Sequence, residues 1–307
     1  MKIAIIGAGA MGCLFGAKLS NINENEVFLI DIWEEHVNAI NNNGLTVEEE
    51  GKQILYDRVK AVKKAEEAGP CDIAVIFVKS TITGEAVKKN RAVFGNKTIA
   101  LTLQNGLGNV EMIAAELGVN NVIAGTTANG ATMLGPGRIR HAGKGKTVIG
   151  ELMGEKTSRL SDLADMLSRA GMETDISDNV IGLIWDKLLV NAGINALTAL
   201  TGLRNGALLD HPELTGILEA AVEEARTVAL AKGISLKYSD PASHTKEVCK
   251  ATAENISSML QDIKNNKPTE IETINGAICK EGQRAGIKTP VNSVLLNLIL
   301  FKQKYIN

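Results

Sequence analysis

Residues 185–195 read Trp-Asp-Lys-Leu-Leu-Val-Asn-Ala-Gly-Ile-Asn, and three polar side chains in this apolar run share one spacing. Lys187, Asn191 and Asn195 stand at i, i+4 and i+8, so a helix places an ammonium and two amides on one face. Polar groups on a buried helix are costly unless they find partners, and a substrate-facing cleft would supply them. A lysine whose pKa falls on burial can give a proton to a carbonyl oxygen as hydride reaches the carbon. Its charge also steadies the developing oxyanion. The competing structural reading is a lysine that reaches solvent or a carboxylate, with asparagines that cap or cross-link helices.

A second constellation opens the chain. Gly7-Ala8-Gly9-Ala10-Met11-Gly12 follows an apolar strand-like run and begins a helical pattern. Gly7 permits a tight turn, Gly9 lets backbone approach a pyrophosphate, and Gly12 and Gly16 let the helix pack close to the sheet. The helix N-terminus offers free N–H groups and partial positive charge. Residues 1–31 therefore read as a dinucleotide-binding unit of a nicotinamide-dependent oxidoreductase, against the alternative of a glycine turn without a ligand. Asp31 stands nineteen residues after Gly12. There a carboxylate would accept hydrogen bonds from an adenosine ribose 2′-OH and repel a 2′-phosphate. No arginine lies in 32–36, so charge alone favours NADH over NADPH. Asp31 could instead cap the following helix.

Two further segments carry polar groups in suggestive places. Gln104-Asn105-Gly106-Leu107-Gly108-Asn109 follows a predicted parallel strand, at the carboxyl edge where ligands of open α/β sheets bind, although Asn-Gly also makes plain turns. Ser257-Ser258-Met259-Leu260-Gln261-Asp262 falls near the end of one predicted helix. Thr269-Glu270-Ile271-Glu272 opens the next, with Thr269 as a cap and Glu270 in the first turn, a sufficient structural reason for the acid.

The elements that must position these groups alternate in the first half. Runs at 2–6, 26–31, 72–78, 98–101 and 121–124 read as strands, and 11–20, 34–42, 83–93 and 110–117 as helices. That order predicts an α/β Rossmann-type domain with a mostly parallel sheet. The glycine-rich stretch 126–152, with Gly135-Pro136-Gly137, adds antiparallel strands, and a helix near 156–170 and a short segment at 173–176 follow. From 180 onward helical patterns run at 180–200, 212–232, 241–263, 269–285 and 290–305. The expected domains are a dinucleotide-binding domain at 1–178 and an all-α substrate domain at 179–307, with the active site in the cleft between them.

Bulk properties narrow the function. A net charge of −2 recruits no polyanion, and 3% aromatic content argues against a stacking platform for single-stranded nucleic acid. The four cysteines show no CxxC spacing, so neither a metal site nor a disulfide framework is expected, and a reducing, cytoplasmic setting fits. The apolar stretch 181–200 is broken by Asp186, Lys187, Asn191 and Asn195, which reads as a buried helix and not a membrane span. The apolar C-terminal helices could pair two chains in a homodimer.

Together these motifs resemble the ketopantoate reductase (2-dehydropantoate 2-reductase) family over almost the whole chain. The glycine loop, Val78-Lys79, Gln104-Asn105-Gly106, Trp185-Asp186-Lys187-Leu188, the Ser257–Asp262 run and the Thr269–Glu272 run carry the resemblance. It implies NADPH-linked reduction of 2-dehydropantoate to (R)-pantoate, on the route to pantothenate and coenzyme A. It implies Lys187 as the catalytic lysine and Glu270 as the acid that holds the substrate hydroxyl. Asn191, Asn195 and Ser258 match positions that bind substrate hydroxyl and carboxylate groups, and Asn205 a further substrate contact. Asn105 matches an asparagine near nicotinamide and substrate, and Lys79 a lysine near the cofactor. Members that use NADPH usually carry a basic residue after the second strand, where this chain has Asp31. The alternatives are a reductase of another branched 2-oxo acid and a non-catalytic dinucleotide sensor.

Overall fold

The computed structural model describes residues 1–305. The chain forms two compact units: one joins Met1–Gln104 to Asn109–Val180, and the other joins Asn105–Gly108 to the chain from Ile181 onward.

The first unit holds strands β1 (Lys2–Ile6), β2 (Glu26–Ile30), β3 (Leu45–Glu49), β4 (Lys52–Tyr56), β5 (Val59–Val62), β6 (Cys71–Ile76), β7 (Phe94–Thr102), β8 (Val122–Thr127), β9 (Gly130–Gly135), β10 (Arg138–Gly143), β11 (Thr147–Glu151) and β12 (Thr174–Ile176). Its helices are α1 (Ala10–Ser20), α2 (Glu34–Asn43), α3 (Ala65–Ala68), α4 (Thr83–Lys89), α5 (Asn109–Leu117) and α6 (Ser158–Arg169). Eight strands make one sheet in the order β12-β11-β8-β7-β6-β1-β2-β5. All its neighbours are parallel except β11 with β8. The central strands β1 and β6 are near-continuous Ile, Val and Ala, as burial on both faces requires.

A second sheet runs β4-β3-β10-β9. Residues 43–71 held no expected element, yet they contain three strands. β4 is almost wholly exposed and β5 is only four residues long, so neither carries a strong apolar run. The 126–152 hairpin also divides differently from expectation. β9 and β10 join the small sheet, whereas β11 returns to the large one. Helix α1 is apolar around most of its circumference because one cluster unites its Cys13, Leu14 and Phe15 with Ile3 and Val75 of the large sheet and Val47 and Ile139 of the small one.

The second unit is helical: α7 (Val180–Thr201), α8 (Pro212–Ala231), α9 (Pro241–Ala251), α10 (Ser258–Lys264), α11 (Asn275–Arg284) and α12 (Pro290–Tyr305). By length and composition α7 could cross a membrane, but 67% of its most apolar window is buried inside the protein. Two sequence expectations are corrected here. The helix expected at 241–263 is two helices separated by a loop, with Ser257 capping α10 by accepting the Leu260 N–H. The helix expected at 269–285 starts only at Asn275, with Ile274 in the cap position, so Thr269 caps no helix. The Thr269 hydroxyl accepts the Ile271 N–H at 3.3 Å, and such local bonds compete with helix formation.

The start of α1 tolerates no side chain at Gly12, where a Cβ would lie 2.0 Å from the Gly7 carbonyl oxygen. Gly12→Ala should cost about 1–3 kcal/mol, the usual scale for overpacking. A urea titration checks this, and an unshifted midpoint would contradict the packing described.

Candidate active site

Helix α7 presents the polar stripe. Lys187 and Asn191 are partly exposed, and Asn195 is buried. Burial pushes the Lys187 ammonium down to about 8, while the nearby Glu270 carboxylate pulls the other way. The Glu270 carboxylate that acts on this lysine is only 9% exposed. The neighbouring Asp186 has a different task, accepting the Lys237 backbone N–H at 3.0 Å.

Glu270 sits on the turn before α11, and that turn is held from three sides. The Glu270 carbonyl accepts the Thr273 and Ile274 N–H groups. The Thr269 N–H donates to Gln303 of α12 at 2.6 Å. The Leu107 N–H donates to the Thr273 carbonyl at 2.9 Å, which brings the Asn105 loop onto the turn. The loop approaches so closely that Gly106, at φ +81°, has no room for a Cβ: one would lie 2.6 Å from the Thr273 carbonyl oxygen.

A buried amide chain then fixes α11 against α7. Glu224 of α8 accepts the Val291 and Asn292 N–H groups at the start of α12, together with the Asn292 amide. Asn292 accepts from Asn275, and the Asn275 amide also reaches the Ala192 carbonyl on α7 at 3.2 Å. Sequence reading missed these residues because nothing in their spacing marks them.

The two serines of the 257–262 run divide their work. Ser257 is buried, caps α10 and lies 2.7 Å from the Thr198 hydroxyl, one turn beyond Asn195 on α7. Ser258 is exposed beside it. Asn205 donates to Thr252 at 3.0 Å, and its Oδ1 is buried without a protein partner. Lys187, Asn191, Asn195, Asn205, Ser258, Glu270 and Asn105 all belong to the helical unit.

Gly7, Ala8, Gly9, Ala10, Met11, Gly12, Asp31 and Lys79 lie in the α/β unit. Gly7 adopts φ +96° and packs against the Val78 backbone, one residue before Lys79. Gln104 ties this strand end down, donating to the Val78 carbonyl at 2.6 Å and the Thr83 hydroxyl at 2.9 Å. A Cβ at Gly9, the residue before α1, would meet nothing within 4 Å. Open space there, beside the first-turn N–H groups of a helix, fits a pyrophosphate. Asp31 caps no helix, contrary to one expectation: Trp33 holds that position without a side-chain cap bond. Its carboxylate accepts the Ala8 N–H at 2.8 Å and the Trp33 N–H at 2.9 Å. Each oxygen keeps a lone pair for a ribose hydroxyl. No cluster of metal-ligating side chains occurs among the described residues.

Comparison with known proteins agrees over the full length. The family profile "Ketopantoate reductase PanE/ApbA" matches residues 3–154, and its "C terminal" counterpart matches residues 179–303. The chain is 35% identical over 305 residues to a 2-dehydropantoate 2-reductase of Halobacterium salinarum, covering 99% of both chains. It is 37% identical over 303 residues to one of Pyrococcus horikoshii, covering 99% and 98%. Among solved structures, a D-mandelate dehydrogenase with NADH and anilino(oxo)acetate superposes with a TM-score of 0.94 at 32% identity, covering 100% of both chains. A PanE/ApbA family ketopantoate reductase of Ralstonia eutropha gives 0.91 at 33%, covering 100% and 99%.

The serine pair is open to a direct test. Ser257→Ala should destabilise the protein by about 1–2 kcal/mol through the lost cap and hydroxyl contact. Ser258→Ala should stay within about 0.5 kcal/mol, as for other exposed positions. Urea denaturation of both variants reads the difference, and equal midpoints would contradict the division.

Proposed function

The chain belongs to the ketopantoate reductase family, and from that premise we propose that it reduces 2-dehydropantoate to (R)-pantoate with a nicotinamide dinucleotide as reductant. The observation that carries this reading is Lys187 on an apolar helix, its pKa lowered by burial to about 8 with the Glu270 carboxylate acting against that shift. The nicotinamide, when bound, supplies the hydride. Lys187 donates a hydrogen bond to the ketone oxygen, stabilises the negative charge that develops there, and gives up its Nζ proton to form the alcohol. Glu270 accepts the substrate hydroxyl and raises the proton affinity of Lys187. Asn191, Asn195, Asn205 and Ser258 offer amide and hydroxyl groups for the substrate's hydroxyl and carboxylate, and Asn105 orients the reacting partners. The glycine loop holds the pyrophosphate, with Lys79 at its flank. All four cysteines are free thiols, which fits reducing, cytoplasmic surroundings.

For the cofactor we propose NADH. Two backbone N–H groups fix the Asp31 carboxylate at the end of the second strand, which supports a role for it in accepting a ribose 2′-OH. Strand pairing brings one cation near, since the Asp31 N–H donates to Val62 and Lys63 follows. Lys63, however, pairs with Glu34 at 3.0 Å. The local balance therefore opposes a 2′-phosphate.

Turnover of 2-dehydropantoate tests the chemistry. Lys187→Ala should lower kcat by at least about 10²-fold, the scale of general-acid catalysis, while the dinucleotide still binds; near-normal turnover would remove Lys187 from its role. In the wild type, kcat/KM for reduction should be level below pH 8 and fall above it as the ammonium deprotonates, whereas pantoate oxidation should rise through the same range. NADH should give the higher kcat/KM, and a strong preference for NADPH would overturn the reading of Asp31.

A further inference from the structure

Beneath the glycine loop lies a buried polar chain that the reduction does not use. Cys13 and His36 are both fully buried. The Cys13 thiol donates to the Ala8 carbonyl, and its sulfur stands 3.2 Å from His36 Nε2. On the far side of the ring, Nδ1 accepts the Gly137 N–H at 3.0 Å. That bond selects the tautomer: Nδ1 is the acceptor, so Nε2 bears the proton and faces Cys13 and Ala8. Burial favours the neutral imidazole against the pull of the Asp31 charge, and it keeps Cys13 a thiol, not a reactive thiolate. The Trp33 ring stacks on His36 at 5.0 Å, and the Trp33 N–H returns to Asp31, which holds the Ala8 N–H.

The network converges on one residue. Ala8 lies between Gly7 and Gly9, where the backbone is least restrained by its own side chains. Its N–H is held by Asp31 and its C=O by Cys13. In a trans peptide the C=O of residue 8 and the N–H of residue 9 point in opposite directions. Anchoring the Ala8 carbonyl inward therefore turns the Gly9 N–H outward, at the residue beside which a Cβ would find only open space.

We propose that Cys13 and His36 are positioning residues for the dinucleotide: they lock the Ala8–Gly9 peptide so that the Gly9 N–H faces the pyrophosphate. The inference rests on the reading of this loop as the dinucleotide site. Both residues are fully buried, so each acts through the Ala8 carbonyl, with Gly137, in the turn between β9 and β10, as the outer anchor.

The test is direct titration of wild type, Cys13→Ala and Cys13→Ser with NADH and NADPH, followed by nucleotide fluorescence, with urea unfolding of each protein and the kcat and KM of those that turn over. Cys13→Ala should weaken dinucleotide binding and raise its KM about tenfold, the equivalent of one hydrogen bond, with a smaller change in kcat. Cys13→Ser keeps a donor to Ala8 and an acceptor for His36, and should return binding to within about threefold of wild type. Unaltered binding in Cys13→Ala overturns the proposal, as does a serine variant that folds yet binds as weakly as the alanine one. A wild type that binds neither dinucleotide would instead overturn the assignment of the loop.

Discussion

Placing the Lys187 ammonium on α7 costs it part of its hydration, and the unit around it bears on how that group holds its proton. Desolvation alone would favour the neutral amine, and the Glu270 carboxylate opposes this, leaving the balance at about 8. A group poised there holds a proton at neutral pH and can still release it when an oxyanion forms. The carboxylate must therefore stay in place, and the surrounding bonds serve that end. Thr269 is tied to α12, Thr273 to the 105–108 loop, and Asn275 to α7 itself. The turn at 270–274 interrupts what the sequence pattern would continue as helix, and the interruption is what sets Glu270 on a short, cross-linked segment.

A comparable economy governs the α/β unit. Helix α1 is covered by two sheets, so its first turn is fixed by packing that no isolated βαβ unit would have. The glycines open space at the loop at the expense of backbone order. Hydrogen bonds from Asp31 and Cys13 restore that order at Ala8. Asp31 thus has a double task, buttressing the loop and presenting its remaining lone pairs.

Much of this was legible in the sequence. The strands flanking the glycine loop, and the long helix α7, have apolar runs strong enough to read directly. The i, i+4, i+8 stripe marked Lys187 because a charge amid Leu, Val and Ala is chemically conspicuous. What escaped was held by tertiary bonds. β4 is a solvent-facing edge strand without an apolar face, and the break at 252–257 is stabilised by Ser257 meeting Thr198 across 59 residues of chain. Asn275, Asn292 and Glu224 look like surface polar residues until the packing brings them together. His36 reads as part of an ordinary helix, and only its bond to Gly137, 101 residues away, reveals its neutral tautomer.

The titration of Lys187 itself, followed by NMR of lysine-labelled protein in the wild type and in Glu270→Gln, is the most direct measurement of this balance. Removing the carboxylate's charge takes away an interaction that favours the ammonium. The wild-type midpoint should lie near 8 and fall further in the variant. A midpoint at the ordinary lysine value of about 10.4, or one that Glu270→Gln leaves in place, would contradict the coupling from which the chemistry of the site is derived.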